Sequence, residues 1–315
     1  MGLTGAGTSR GAPGSPYPRH VTRSPSDSWT VTSIAATPRT GCDSAPLGSV
    51  ADAARVLDGR RTVVLTGAGL STDSGIPDYR GPDSPPRSPM TYQEFVSGHP
   101  AQQRYWARSH LGWQRMGLAR PNRGHTATAT LQQAGWVRGL ITQNVDGLHA
   151  AAGARPVIDL HGRIDEVLCL GCREITARVE LHERLTALNP VFGPQADVTT
   201  APDGDVEFED TGGFVLAACR SCAGPLKPHV VFFGENVPRE RVALSYRAVD
   251  EAEAMLVAGS SLTVMSGLRF VRHAARRGIP VVIVNRGVTR GDPLAVLRVD
   301  AGCSETLTAL ADLLI

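Results

Sequence analysis

Lysine is all but missing from this chain: of 32 lysine and arginine residues only Lys227 is a lysine. That skew toward arginine carries no functional signal by itself. No apolar run is long enough to span a bilayer, and no signal-peptide core is present. A cytoplasmic protein is therefore expected, with the mitochondrial matrix as the second reading. An excess of one charge is missing too, since 32 basic side chains face 30 acidic ones and the formal net charge is +2. No global field then argues for nucleic acid or an anionic membrane as partner. No internal repeat is found.

Residues 1–46 have almost no acids, only Asp27 and Asp43, and no apolar period of 2 or 3.6. They read as a disordered tail. An Arg- and Ser-rich, acid-poor start also fits an organelle transit peptide, but Pro13, Pro16, Pro18, Pro25 and Pro38 spoil the amphipathic helix such peptides need. With 42% hydrophobic residues the remaining chain can bury a sizeable core.

What is present centres on Gly67 to Arg80, GAGLSTDSGIPDYR. It follows Thr62–Thr66, an apolar run that reads as a buried parallel strand. A turn built from Gly67, Ala68 and Gly69 lets backbone approach a pyrophosphate closely. A lone GxG is equally an ordinary strand-to-helix turn. The dehydrogenase fingerprint is incomplete, with Thr72 at the third small position and a Pro-rich stretch, 82–89, where a second strand should end in an acid. The turn instead runs into a loop carrying Asp78, Tyr79 and Arg80.

Further on, short apolar runs alternate with helical segments. Helices are expected at 50–57, 91–96, 102–114, 126–133, 177–188, 239–249, 267–277 and 305–313. Strands are expected at 62–66, 137–142, 157–160, 230–233, 255–258 and 281–284. Polar clusters follow several of these strands directly, at the carboxyl edge where open α/β sheets bind ligands. They are Gln143, Asn144, Val145 and Asp146, then His161, then Gly259, Ser260 and Ser261, then Asn285, Arg286 and Gly287. A loop Asn and Asp are equally turn formers, and a single histidine is equally a surface residue.

Four of the six cysteines form two Cys-x-x-Cys pairs, Cys169 with Cys172 and Cys219 with Cys222. Without a secretory signal, metal binding is favoured over disulfides, and a redox dithiol is the other reading. Four thiolates would close a tetrahedral zinc site and leave no position for water, so the metal is expected to be structural. The fold class is α/β, a Rossmann-like parallel sheet from residues 47–165 and 229–315. It has a helical segment at 85–134 and a smaller zinc-binding module, 166–228, inserted.

The string GAGLSTDSGIPDYR resembles the signature of the sirtuin family, the NAD-dependent protein deacylases. It fits at every fixed position, with Tyr79 as the aromatic. TQNVDGLH at 142–149 resembles the second signature, and Leu160-His161-Gly162 matches the motif of the family's catalytic histidine. The resemblance runs from about Val50 to the C-terminus. Its details, including QRYWAR at 103–108 and the long insert between the cysteine pairs, are similar to the class with mitochondrial and bacterial lipoamidase-type members. It implies NAD as cofactor, held by Gly67, Ala68, Gly69, Ser71, Asp78, Tyr79, Arg80, Gln143, Asn144, Val145, Asp146, Gly259–Ser261, Asn285–Gly287 and Cys303. It also implies catalytic roles for His161, Asn144 and Asp146, and an acyl-lysine protein substrate laid along Val231, Phe232, Phe233, Gly234 and Glu235. The implied products are nicotinamide, free lysine and O-acyl-ADP-ribose. Mono-ADP-ribosyl transfer to a protein is the alternative on the same NAD site. Tyr105 and Arg108, at i and i+3 on one helix face, match a pair that holds an acyl carboxylate in sirtuins removing acidic acyl groups. A structural role for both is the other reading.

Overall fold

The computed structural model describes residues 45–79, 88–192, 202–203 and 211–315, along with Gly2. Of the tail expected at 1–46 only Gly2, Ala45 and Pro46 are described, and Arg80 and positions 81–87 of the Pro-rich loop lie outside the described residues.

Six strands form one parallel sheet. They are β1 (Thr62–Thr66), β2 (Val137–Thr142), β3 (Ile158–Asp159), β7 (Ala254–Ala258), β8 (Val281–Val284) and β9 (Leu297–Val299), in the order β3-β2-β1-β7-β8-β9. Every residue of β1, β7 and β8 is buried. Strands covered on both faces read as continuous apolar runs rather than alternating ones, which is why these three are legible. The chain winds outward from β1 through β2 to β3, then returns to the other side of β1 at β7. The switch point therefore lies between β1 and β7, whose last residues Thr66 and Ala258 stand side by side. A crevice opens there beyond the strand ends.

Helices α1 (Val50–Leu57), α4 (Arg123–Gln133) and α9 (Cys303–Leu314) share one apolar core with one sheet face. On the other face, α8 (Met265–Arg276) supplies Leu268, Phe270 and Val271 to a second core, and α7 (Arg239–Asp250) adds Val249. The start of α1 is set by sequence. Ser49 and Asp52 form a reciprocal capping box at its start. The preceding residues belong to the fold rather than to the tail, because Ala45 is buried and the Pro46 carbonyl accepts from Arg298 N–H.

The inserted module carries a second, antiparallel sheet, β5 (Ile175–Ala177), β4 (Gly162–Cys169) and β6 (Leu226–Val230), in that order. It begins and ends a few residues outside the 166–228 read from the cysteines. The strand expected at 230–233 is corrected here. The ladder stops at Val230 because its partner β4 starts at Gly162, and only one further bond follows, from Val231 N–H to the His161 carbonyl (2.7 Å). Phe233 makes only an isolated bridge to Thr91. The expected strand 157–160 shortens to β3.

Two more helices, α2 (Tyr92–Phe95) and α3 (His99–Leu118), pack on this module with α6 (Arg178–Leu188) in a third core. Fully buried Arg178 lies between the rings of Trp106 and Trp113, 5.1 Å from each centroid. Burial lowers its pKa only to about 10, so it remains a cation and the indole faces offset part of its lost hydration. The short α5 (Leu148–Ala151) completes the described helices. None of them is long and apolar enough to cross a membrane.

Candidate active site

The crevice at the switch point is a cavity of about 410 Å³. Its floor is two turns in contact. The one after β1 carries Gly67, Ala68 and Gly69, and the one after β7 carries Gly259, Ser260 and Ser261. A Cβ at Gly67 would stand 2.7 Å from the Gly259 carbonyl oxygen and 2.8 Å from Ser260 Cβ. Only glycine lets the turns meet so closely, and Gly259 itself sits at φ 67°.

The loop after β2 meets the first turn side by side. Asn144 Nδ2 donates to the Gly67 carbonyl (3.0 Å) and to Ser71 Oγ (3.1 Å). Ser71 Oγ in turn donates to Asp146 Oδ2 (2.7 Å), whose other oxygen accepts from Leu148 N–H (2.9 Å). Gln143 Nε2 donates to Ser260 Oγ (2.8 Å), tying the β2 loop to the β7 turn. Three loops from three strands are thus locked by side-chain bonds, and Asn144 is buried at their junction.

His161 follows β3 on the cavity wall. Its Nδ1 lies 2.8 Å from the Gln143 carbonyl oxygen, and its Nε2 lies 2.8 Å from Ser266 Oγ. A carbonyl only accepts, so the ring proton is on Nδ1 and Nε2 carries a lone pair. Burial is the main cause that lowers the His161 pKa to about 4, with the Arg241 and Arg269 charges adding to it. The imidazole is therefore neutral at pH 7, its pKa below the ordinary histidine value near 6.5.

The segment after β6 closes the far wall, where Val231, Phe232, Phe233, Gly234 and Glu235 all line the cavity. Lys227, buried in β6, pins this segment. Its Nζ lies 3.0 Å from Glu235 Oε2 and also donates to the Val230 carbonyl. Glu235 Oε2 accepts from Phe232 N–H as well (2.9 Å). Tyr79 packs edge-on against Phe233, with ring centroids 5.9 Å apart.

Most of the expected cofactor residues meet here. Asp78, Tyr79, Val145, Asn285 and Arg286 line the same cavity as the residues above. Gly287 and Cys303 do not. The Gly287 N–H donates to Asp300 Oδ1 (3.0 Å), and Cys303 is buried behind Gly259 with its thiol pushed up to about 12 by burial. Tyr105 reaches the wall whereas Arg108 is not among the lining residues. Ser266 and Arg269 are cavity residues that the sequence reading missed. A serine opening an amphipathic helix looks like a cap, and nothing in the sequence says that its hydroxyl faces His161.

The Sir2 family model matches residues 67–266 of this chain. The chain belongs to the Sir2 family. A Mycobacterium avium protein, NAD-dependent protein deacetylase 1, is 58% identical over 261 residues, covering 82% of this chain and 93% of that protein. A Streptomyces coelicolor protein of the same description is 53% identical over 270 residues, covering 84% and 89%. A solved structure of Sir2 bound to acetylated peptide is 28% identical, with a TM-score of 0.66, covering 84% of this chain and 98% of that one.

Both groups that Sir2 proteins imply find fitting residues. For NAD, the two glycine-bearing turns pack backbone against backbone, so that a Cβ at Gly67 or Gly69 would press on Gly259, and both turns line the cavity. For zinc, the four thiols of Cys169, Cys172, Cys219 and Cys222 lie within 4.8 Å of one another. The Cys169–Cys222 and Cys172–Cys219 sulfurs are 3.4 and 3.7 Å apart. A tetrahedral zinc with bonds of about 2.3 Å needs sulfurs roughly 3.8 Å apart. Arg173 and Ala223 adopt positive φ of 66° and 57°, so each Cys-x-x-Cys loop curls back on its own cysteines. None of the four cysteines is among the residues that line the cavity. Its four-thiol donor set fits one structural zinc.

Proposed function

We infer that this Sir2 chain is an NAD-dependent protein deacetylase, acting on acylated lysine side chains of other proteins. NAD, when bound, supplies an activated ribose carbon on departure of nicotinamide. The observation that carries the reading is the convergence of three things on one cavity. They are a pair of glycine-bearing turns at the switch point, a neutral His161 with its lone pair on Nε2, and a wall of residues 231–235.

Each group has a role that its geometry supports. Gly67–Gly69 and Gly259–Ser261 would hold phosphate and ribose by close backbone approach. Asn144 and Asp146, immobilised through Ser71, would fix the nicotinamide end. The chain of bonds through Ser71 leaves these two little rotational freedom, so orientation is paid before the ligand arrives. His161 Nε2 would take the ribose hydroxyl proton, becoming an imidazolium whose Nδ1–H still has the Gln143 carbonyl as partner. The apolar segment from Val231 to Phe233 would exclude water beside the acyl group.

The test is nicotinamide release with an acetyl-lysine peptide, read by mass spectrometry. Release that depends on the acyl peptide, with acetyl-ADP-ribose in solution, is the expected result. ADP-ribose attached to a protein instead would favour the transferase alternative. His161→Gln should lower turnover by about 10²–10⁴-fold and leave nucleotide binding by calorimetry nearly unchanged. Wild-type turnover in that variant would remove His161 from the base role.

A further inference from the structure

Ser266 is the second residue of α8, yet its hydroxyl does nothing for that helix. The N-cap is Val264, and no side chain caps the helix. The Ser266 hydroxyl points instead across the cleft, 2.8 Å from His161 Nε2, and both residues line the cavity. Because the Gln143 carbonyl fixes the ring proton on Nδ1, the Nε2 atom can only accept, and Ser266 must be the donor. This is the one nitrogen through which His161 can work as a base.

We propose that Ser266 is a positioning residue for His161, holding Nε2 toward the cleft until a substrate hydroxyl takes its place as donor. The proposal rests on His161 being the base. The imidazole is then gripped at both nitrogens, by a main-chain carbonyl after β2 and by a side chain on α8. Two bonds on opposite ring edges fix both the ring flip and its tilt, which a single bond would not. The exchange is conservative, since one O–H donor replaces another at the same lone pair. No proton moves until the substrate hydroxyl is in place.

A donor to the neutral ring disfavours its protonation. Arg241 on α7 and Arg269 on α8 are the charged groups whose fields reach the same ring, and both act in the same direction. Removing the hydroxyl leaves those fields in place, so its effect can be read separately.

The experiment compares wild type, Ser266→Ala and Ser266→Thr. Nitrogen-15 spectra of histidine-labelled free enzyme report the His161 titration and tautomer without any ligand. Ser266→Ala should raise the midpoint by about half to one pH unit and lower kcat/KM by about two- to tenfold, the worth of one neutral hydrogen bond. The acid limb of the kcat/KM profile should rise with it, and Ser266→Thr should restore both. An Ala variant with an unmoved titration overturns the proposal, whether activity is kept (an idle hydroxyl) or lost (packing alone). His161→Gln run beside it separates this failure from failure of the base assignment, because only the latter leaves that variant active.

Discussion

Tyr105 and Arg108 stand one helical turn apart on α3 and end in different places. The phenol ring packs against Phe95, Trp106 and Phe232 and reaches the cavity wall, while Arg108 does not line it. Tyr105, Phe232, Ile76 and Met90 give the cavity an apolar stretch of wall, and Asp203 lines the same cavity. Arg108→Met is then expected to change kcat/KM for acetyl- and succinyl-lysine peptides by similar factors. A loss of tenfold or more confined to the succinyl peptide would restore Arg108 as a carboxylate reader, since a charge-assisted bond is worth about 1.5–3 kcal/mol. His161 shows a different limit of reading residues singly. Its identity as the base candidate came from the motif, but its neutrality comes from burial and two arginines brought near by folding. Ser266 had no sequence signal at all, because its partner lies on another element.

Among the elements, the legible strands are β1, β7 and β8, buried throughout, and β2, apolar or small but for the exposed Arg138. Two of the strands that were not, β6 and β9, contain a residue that spoils an apolar run. In β6 it is Pro228, tolerated because β6 is an edge of its sheet. In β9 it is Arg298, buried and paired with Asp292 (2.8 Å) and Asp300 (3.0 Å). The zinc module was visible from cysteine spacing, but its boundaries were not, since its strands begin ahead of the first cysteine. The joint where β4 meets β6 is Gly162, at φ 84°, where a Cβ would collide with the His229 carbonyl. Gly162→Ala should therefore destabilise the fold by about 1–3 kcal/mol and reduce turnover, because His161 is its neighbour. Thermal melting and kcat on the same sample check this, and an unchanged melting point would refute it. Cys172→Ser should remove zinc and lower the melting temperature, because a closed thiolate site supplies folding energy. Metal analysis with melting tests it, and a zinc-free variant melting like wild type would count against a structural metal.

The molecule as a whole carries an acid sensitivity set by its interior. Burial lowers the pKa of His110 and His161 to about 4 and of His149 to about 3. Each binds a proton more readily unfolded than folded between roughly its folded value and 6.5, so stability is lost as pH falls through that window. Asp159 acts oppositely. Burial raises it to about 6, so it favours the fold as pH falls from 6 toward 4. Three histidines outweigh one carboxyl, and the melting temperature should drop from pH 7 to pH 4.5. His110 is not among the cavity-lining residues, and His110→Asn should flatten that drop, whereas an unaltered slope would show that its burial is not the source. Lys227 has a further consequence for chemistry done around this protein. The sole lysine side chain is 2% exposed, with its amine shared between a carboxylate and main-chain carbonyls. An enzyme that strips acyl groups from lysines thus offers, while folded, no accessible lysine for acyl donors to mark. In a reaction mixture every acyl-lysine signal belongs to the substrate, and a lysine-specific protease will digest that substrate while leaving the folded catalyst whole.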